Sequence, residues 1–163
     1  MSLTTVYIAL GSNLGQRLEQ MRLALQLLEK NNIAILAVSP VYENRAIGMG
    51  EADPFLNAVI KVQTALEPEA LLEACLAIEM KMGRIRSKVW SPRTIDIDLL
   101  AYGALQMKTR ALHLPHPRIV ERDFVLQPFV DLEPDFELHG QSIRVWLDQL
   151  PSVELTCVAD KLI

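Results

Sequence analysis

Residues Trp90 to Leu100 read WSPRTIDIDLL, and the alternation in this stretch decides how the chain is built. Beta-branched Thr94, Ile95 and Ile97 favour an extended strand, in which successive side chains point to opposite faces. Ile95, Ile97 and Leu99 then share one face, and Asp96 and Asp98 share the other. Two carboxylates side by side raise each other's pKa unless a cation or a neighbour such as Arg93 compensates. Magnesium suits them: it takes hard oxygen ligands, needs only one or two protein carboxylates and completes its shell with water and phosphate oxygens. The outward polar face of an antiparallel strand would account for one Asp. Asp is depleted in strands, however, and two alternate here directly after Arg-Thr. Asp96 and Asp98 are therefore the candidate metal ligands.

Working outward, Thr5 to Gly11 alternates Val6, Ile8 and Leu10 against Tyr7 and Ala9 and predicts a first strand, after which Ser12 or Asn13 can cap a helix. That helix is expected from Leu14 to Lys30, with Leu14, Leu18, Met21, Leu25 and Leu28 at three- and four-residue spacing and a stop at Asn31 and Asn32. Ile33 to Tyr42 is the second expected strand, ended or bulged near Pro40. Glu43 to Pro54 has no periodicity and reads as a loop long enough to be functional, with a plain surface loop equally compatible. Phe55 to Thr64 is the third strand, with Phe55, Asn57, Val59 and Lys61 on one side. Pro68 opens a second helix whose stripe is Leu71, Cys75, Ile78 and Met82, and Gly83 stops it. Cys75 lies in that stripe and reads as a core residue, not a nucleophile, while Glu79 sits at the stripe's edge.

The order strand, helix, strand, strand, helix, strand is that of an α+β, ferredoxin-like βαββαβ core. An antiparallel sheet is expected with helices on one face and the active site on the other, where Phe55, Asn57, Asp96 and Asp98 would lie. Residues after Gly103 form a C-terminal extension. In it His113 to Pro117 is extended, Arg118 to Leu132 is a short helix plus a connecting stretch, and Ser142 to Leu150 is an amphipathic helix with Trp146 inward.

With 163 residues, 50% hydrophobic and 22% charged, the chain can bury one core and is expected to form a single domain over 1–163. A net charge of -4 leaves no overall basic footprint for nucleic acid, so an anionic substrate must be gripped locally. Cys75 and Cys157 are far apart and show no CxxC spacing, which argues against a disulfide scaffold or zinc site. No stretch reaches the roughly 18 apolar residues of a membrane span, and the start lacks a signal-peptide pattern. A soluble, cytoplasmic protein is expected.

Next to the Asp pair stands a cationic stretch with Arg84, Arg86, Lys88 and Arg93, and with Trp90 between charges. Carboxylates that hold magnesium beside guanidinium groups point to transfer of a phosphorus group from a nucleotide, where the protein positions reactants and neutralises charge. No Walker A or kinase glycine-loop pattern is present, and GSNLG lacks the lysine of a phosphate loop. Two rivals remain: a nucleotidyl transferase, in which the Gly-Ser turn and Asp-x-Asp strand lie close in sequence, and a non-catalytic ferredoxin-like binding module.

YIALGSNLG at the start, the segment Tyr42 to Gly48, DPFLNAV at Asp53 to Val59, IE plus GRIR at Ile78 to Arg86, WSPRTIDIDLL, LPHP and RDFVLQP at Arg122 to Pro128 together resemble the 6-hydroxymethyl-7,8-dihydropterin pyrophosphokinase family. The resemblance runs nearly the full chain. It implies transfer of pyrophosphate from ATP to a pterin alcohol in folate biosynthesis. It implies Asp96 and Asp98 as ligands of two magnesium ions, and Arg84 and Arg93 as catalytic cations. Trp90 and Arg93 match residues of a loop that seals the site. Phe55 and Phe124 match the aromatic pair that sandwiches the pterin, with Asn57 at its edge, Asn44 and Ile47 in the pterin-side loop, and Arg122 nearby. Glu79, Arg86, Ile97 and His116 match the nucleotide side. The partners implied are the two small-molecule substrates, acting on a monomer. Departures from the family are Ser91 for a usual Gly, Asn44 and Ala46 for Thr and Pro, Pro117 for Tyr, and Leu76 at a polar position.

Overall fold

The computed structural model describes residues 2–13, 15–44, 54–83, 95–151, 155–160 and 162. In chain order the elements are β1 (Thr4–Ser12), α1 (Arg17–Lys30), β2 (Ile33–Val38), β3 (Val41–Asn44), β4 (Phe55–Thr64), α2 (Pro68–Lys81) and β5 (Asp96–Tyr102). The extension adds β6 (Met107–Lys108), β7 (His113–Leu114), a 3-10 turn (Ile119–Glu121), α3 (Asp123–Leu132), β8 (Glu137–Leu138), β9 (Gln141–Ser142), α4 (Ile143–Asp148) and β10 (Thr156–Ala159).

The main sheet has the order β10-β3-β4-β1-β5, with β2 also pairing β4. Every neighbour is antiparallel. This is the expected ferredoxin-like arrangement, with the second strand divided in two. Pro40 lacks the N–H that a continuous ladder needs, so pairing breaks there. Ser39 fills the gap: its N–H donates to the Val59 carbonyl at 2.9 Å, and its Oγ accepts from the Val59 N–H at 2.9 Å.

Helices α1 and α2 cover one face. Met21, Leu25 and Leu28 from α1 and Leu71, Cys75 and Ile78 from α2 meet Val6, Ile8, Leu10, Ile60, Val62, Ile95, Ile97 and Leu99 of the sheet side in one buried cluster. Each fully buried aliphatic chain there contributes about 1.5–3 kcal/mol. Cys75 is part of this core, as its stripe position implied; burial, with the nearby Glu79 and Asp98 charges, pushes its thiol up to about 12, so it stays protonated. Helix α1 starts at Arg17, later than its apolar pattern suggested, with Gln16 at the capping position and no side-chain cap bond. Ser12 and Asn13 are buried instead of capping it. Helix α2 ends where expected: Gly83 has φ +97 and its N–H closes on Met80 O at 3.1 Å.

The extension gives the second face its cover. Helix α3 is a full ten residues, longer than the short helix read from sequence. Tyr7, Val59, Leu100 and Ala101 of the sheet are buried beneath Val125, Leu126 and Phe129 of α3. Tyr7, Phe129 and Phe136 form a triangle with ring centroids 5.0 Å apart, and Trp146 of α4 packs at its edge and donates to Leu138 O at 2.8 Å. Polar clamps hold the far end of α3: Tyr42 donates to Asp131, and Lys61 pairs with Glu133. Burial of the sheet face therefore stops only where α3 begins.

Candidate functional site

At that boundary the strand registers set the site. Gly11 on β1 pairs with Asp96 on one side and Asn57 on the other, and Ala9 likewise pairs with Asp98 and Val59. With period-2 alternation, Asp96, Asp98, Gly11, Ala9, Asn57 and Phe55 all point to the face that α3 covers. Neighbouring strands are about 4.8 Å apart, so Asp96 and Asn57 stand about 10 Å from each other across Gly11, enough for a small planar ligand. Gly11 has no side chain to fill that gap: a Cβ there would stand 3.5 Å from Asn57 Oδ1 and 3.9 Å from Phe55 Cδ1.

The result is a cavity of about 440 Å³ floored by Ala9 and Gly11. Phe55, Asn57 and Asn44 form one wall, Phe124 and Arg122 at the start of α3 form another, and Asp96 and Asp98 close the β5 side. Asn57 is only 7% exposed. Its amide donates to the Asn44 Oδ1 and, at 3.4 Å, to Phe55 O, which fixes its orientation. The Arg122 guanidinium lies 5.7 Å from the Phe124 ring centroid, a cation–π contact that places a positive charge in the same cavity as the Asp pair.

A second cavity of about 340 Å³ opens on the α2 side of β5. It shares Asp98 with the first and is bounded by Leu72, Leu76, Glu79, Ile97 and His116. Glu79 is 1% exposed, and its Oε2 accepts the Ile97 N–H at 2.7 Å. A buried carboxylate is stable only with such partners, and this one grips β5 at the residue between Asp96 and Asp98. His116 is fixed twice: its backbone N–H donates to Leu100 O at 2.8 Å, and its ring Nδ1 accepts the Arg118 backbone N–H at 3.2 Å. Burial, then the Arg122, His113 and Arg118 charges, lower its pKa. The ring is therefore neutral at physiological pH, with Nε2 carrying the proton as a donor.

The structure thus gathers Asn44, Phe55, Asn57, Arg122 and Phe124 around one cavity and Glu79, Ile97 and His116 around the other, with Asp98 common to both. Ile47, Arg84, Arg86, Trp90 and Arg93 lie outside the described residues. Leu76, noted as a departure, gives the second cavity an apolar wall. Ala9 and Gly11 were missed as site residues; the signal for them was the register that sets a Gly opposite an Asp. Arg110, which also borders the second cavity, carried no signal in sequence.

The donor set decides which metal the site could hold. Among the described residues no group of three or more His, Cys, Asp or Glu side chains is gathered closely enough for an ion. That excludes from them the closed nitrogen and sulfur shell that zinc takes. Two carboxylates facing an open cavity do fit magnesium, which relies on water and phosphate oxygens for the rest.

The sequence profile of the family described as 7,8-dihydro-6-hydroxymethylpterin-pyrophosphokinase (HPPK) matches residues 7–134. The chain is 40% identical over 149 residues to the 2-amino-4-hydroxy-6-hydroxymethyldihydropteridine pyrophosphokinase of Methylorubrum extorquens, covering 91% of this chain and 94% of that one. It is 41% identical over 134 residues to the enzyme of the same name from Pseudomonas aeruginosa, covering 82% and 83%. Among solved structures, an HPPK-DHPS protein in complex with substrates matches with a TM-score of 0.72 at 13% identity, which shows a shared fold. The match covers 91% of this chain and 43% of that larger protein.

Proposed function

The chain belongs to the 7,8-dihydro-6-hydroxymethylpterin-pyrophosphokinase family of folate-synthesis enzymes, and we propose that it transfers pyrophosphate from ATP to 6-hydroxymethyl-7,8-dihydropterin by magnesium-dependent, in-line attack on the β-phosphorus. The observation that carries this reading is the Asp pair on the wall of the first cavity, with Asp98 shared by the second. The first cavity suits a flat ring and the second a nucleotide.

The pterin lies between Phe55 and Phe124, a flat heteroaromatic held by two aromatic faces. Asn57, locked by Asn44, reads its polar edge. ATP enters from the second cavity, its base against Leu72 and Leu76 and the His116 Nε2 donating toward it. Asp96 and Asp98 would hold magnesium, which when bound neutralises the phosphate oxygens and so lets them approach the carboxylates. Glu79 keeps β5 in register so that the two carboxylates stay aligned. Arg122 adds a fixed positive charge near the reacting groups, and Arg84 and Arg93 are proposed to add more. As the bond from the pterin hydroxyl oxygen to the β-phosphorus forms, the bond from that phosphorus to the oxygen bridging it to the α-phosphate breaks. AMP leaves with that oxygen, and the proton of the pterin hydroxyl is released to water. We extend the reading to a monomer that works in the cytoplasm on small molecules alone. Supporting this, the net charge of -4 gives no basic footprint for nucleic acid, and no helix among the described residues is long and apolar enough to cross a membrane.

The test is product analysis with ATP, magnesium and the pterin alcohol, separating nucleotides by ion exchange. AMP formed only when the pterin is present is the expected result. ADP would mean single phosphoryl transfer, and pyrophosphate released from ATP would mean nucleotidyl transfer; either overturns the proposal.

A further inference from the structure

Arg17 is the first residue of α1, where a cation opposes the helix dipole and an acidic residue such as Glu19 is the favoured choice. The guanidinium therefore gains nothing from its own helix. It reaches instead across to the end of the β3–β4 pair. One nitrogen, Nη1, donates to Pro54 O at 2.6 Å and pairs with Glu43 Oε2 at 2.9 Å. Those two positions directly flank Asn44 and Phe55, which form the last backbone pair of that ladder. A single nitrogen with two hydrogens thus ties both strands together just where their own pairing ends.

Asn44 and Phe55 are both walls of the larger cavity, and Asn44 also orients Asn57. Past a ladder's last pair, strand ends fray unless something else joins them. Here the join is charge-assisted and partly shielded, the side chains of Arg17 and Glu43 being 26% and 32% exposed. We propose that Arg17 is a positioning residue for the pterin: by clasping Glu43 and Pro54 it sets the spacing of Asn44 and Phe55, and so the affinity for the ring, without touching substrate. This rests on the pterin reading of the cavity. Arg17 lines neither cavity, and Asn44 and Phe55, next to its two partners, line the first cavity and not the second, so its effect is on pterin and not on nucleotide.

The test uses the full chain with Arg17→Met, Arg17→Lys and Glu43→Gln, titrating 6-hydroxymethylpterin by its fluorescence and ATP with magnesium by calorimetry, alongside thermal melts. Arg17→Met is expected to weaken pterin binding about tenfold, the loss of one charge-assisted contact, and to leave ATP affinity within about twofold. Arg17→Lys, which keeps the charge but not the planar reach, is expected to recover part of the loss. Unchanged pterin affinity in Arg17→Met overturns the proposal, as does an equal loss for pterin and ATP, which a merely structural ion pair would give. Should Arg17→Met fail to fold, Glu43→Gln decides: it keeps the Pro54 contact and is expected to weaken pterin about two- to threefold, and no change overturns the proposal. Wild-type protein that binds no pterin would instead overturn the functional reading itself.

Discussion

Replacing Glu79 by alanine removes the acceptor that holds the middle of β5. The wild-type carboxylate is 1% exposed and takes the Ile97 N–H at 2.7 Å. Its loss orphans a buried N–H, at about 1–3 kcal/mol, and leaves a void worth about 1–2 kcal/mol. Relief from burying a charge offsets part of this. The net is about 2–4 kcal/mol, which in a chain of this length lowers Tm by about 5–15 °C. Turnover should fall further than stability implies, because Ile97 lies between the two Asp residues and a displacement of about 1 Å costs on the order of a hundredfold. Glu79→Gln is the control. It keeps the shape and an acceptor oxygen and loses only the ionic part of the bond, about 1 kcal/mol, so it should retain activity within about tenfold and melt within about 2–4 °C of wild type. Circular dichroism melts and steady-state AMP formation read both quantities. Glu79→Ala with wild-type Tm and rate would refute the role of this bond. Glu79→Gln falling as far as Glu79→Ala would show that charge, not the hydrogen bond, is what matters.

Phe124→Ala removes one face of the pterin site, and loss of a stacked ring should weaken pterin binding by about 1–3 kcal/mol, or about 5- to 150-fold, with ATP affinity unchanged; fluorescence titration checks this, and equal weakening of both ligands would contradict it. The Lys61 ammonium holds the Glu133 carboxyl below its ordinary 4.5. The pair therefore stabilises the fold above that value, and the contribution is lost as pH falls through the lower folded-state pKa. Glu133→Gln should melt below wild type at neutral pH, with the gap closing in acid; a gap independent of pH would contradict the assignment.

The parts of the fold legible in the sequence were those written as local periodicity. Alternation placed Ile95, Ile97 and Leu99 in the core with Asp96 and Asp98 opposite, and the helical stripe placed Cys75 at 0% exposure. Pro40 announced the break in the second strand because a missing N–H is a local fact. What brings Phe124 to the cavity is not local. The α3 segment had an apolar pattern, but nothing in it said which sheet face it would cover, and the alternation of Tyr7 against Ile8 could not reveal that Tyr7 is buried too. Gly11 was legible only as a strand terminator, since its value as a cavity floor depends on pairing with Asp96 and Asn57 across two registers. Glu79 read as a residue at the edge of a helix stripe; its burial follows from β5 lying close enough to donate an N–H. Nothing in the sequence singled out Arg17, because its partners, Glu43 and Pro54, meet it only in the folded chain.

The most direct test of the central claim, that phosphoryl chemistry is centred on the alternating carboxylates of β5, is AMP formation by the double variant Asp96→Asn, Asp98→Asn. Both changes preserve shape, so the fold and pterin binding serve as internal controls by circular dichroism and fluorescence. The expected result is native folding, pterin affinity within about threefold of wild type, and turnover reduced by about 10³-fold or more. AMP formation at close to the wild-type rate by a double variant that folds and binds pterin would contradict the claim.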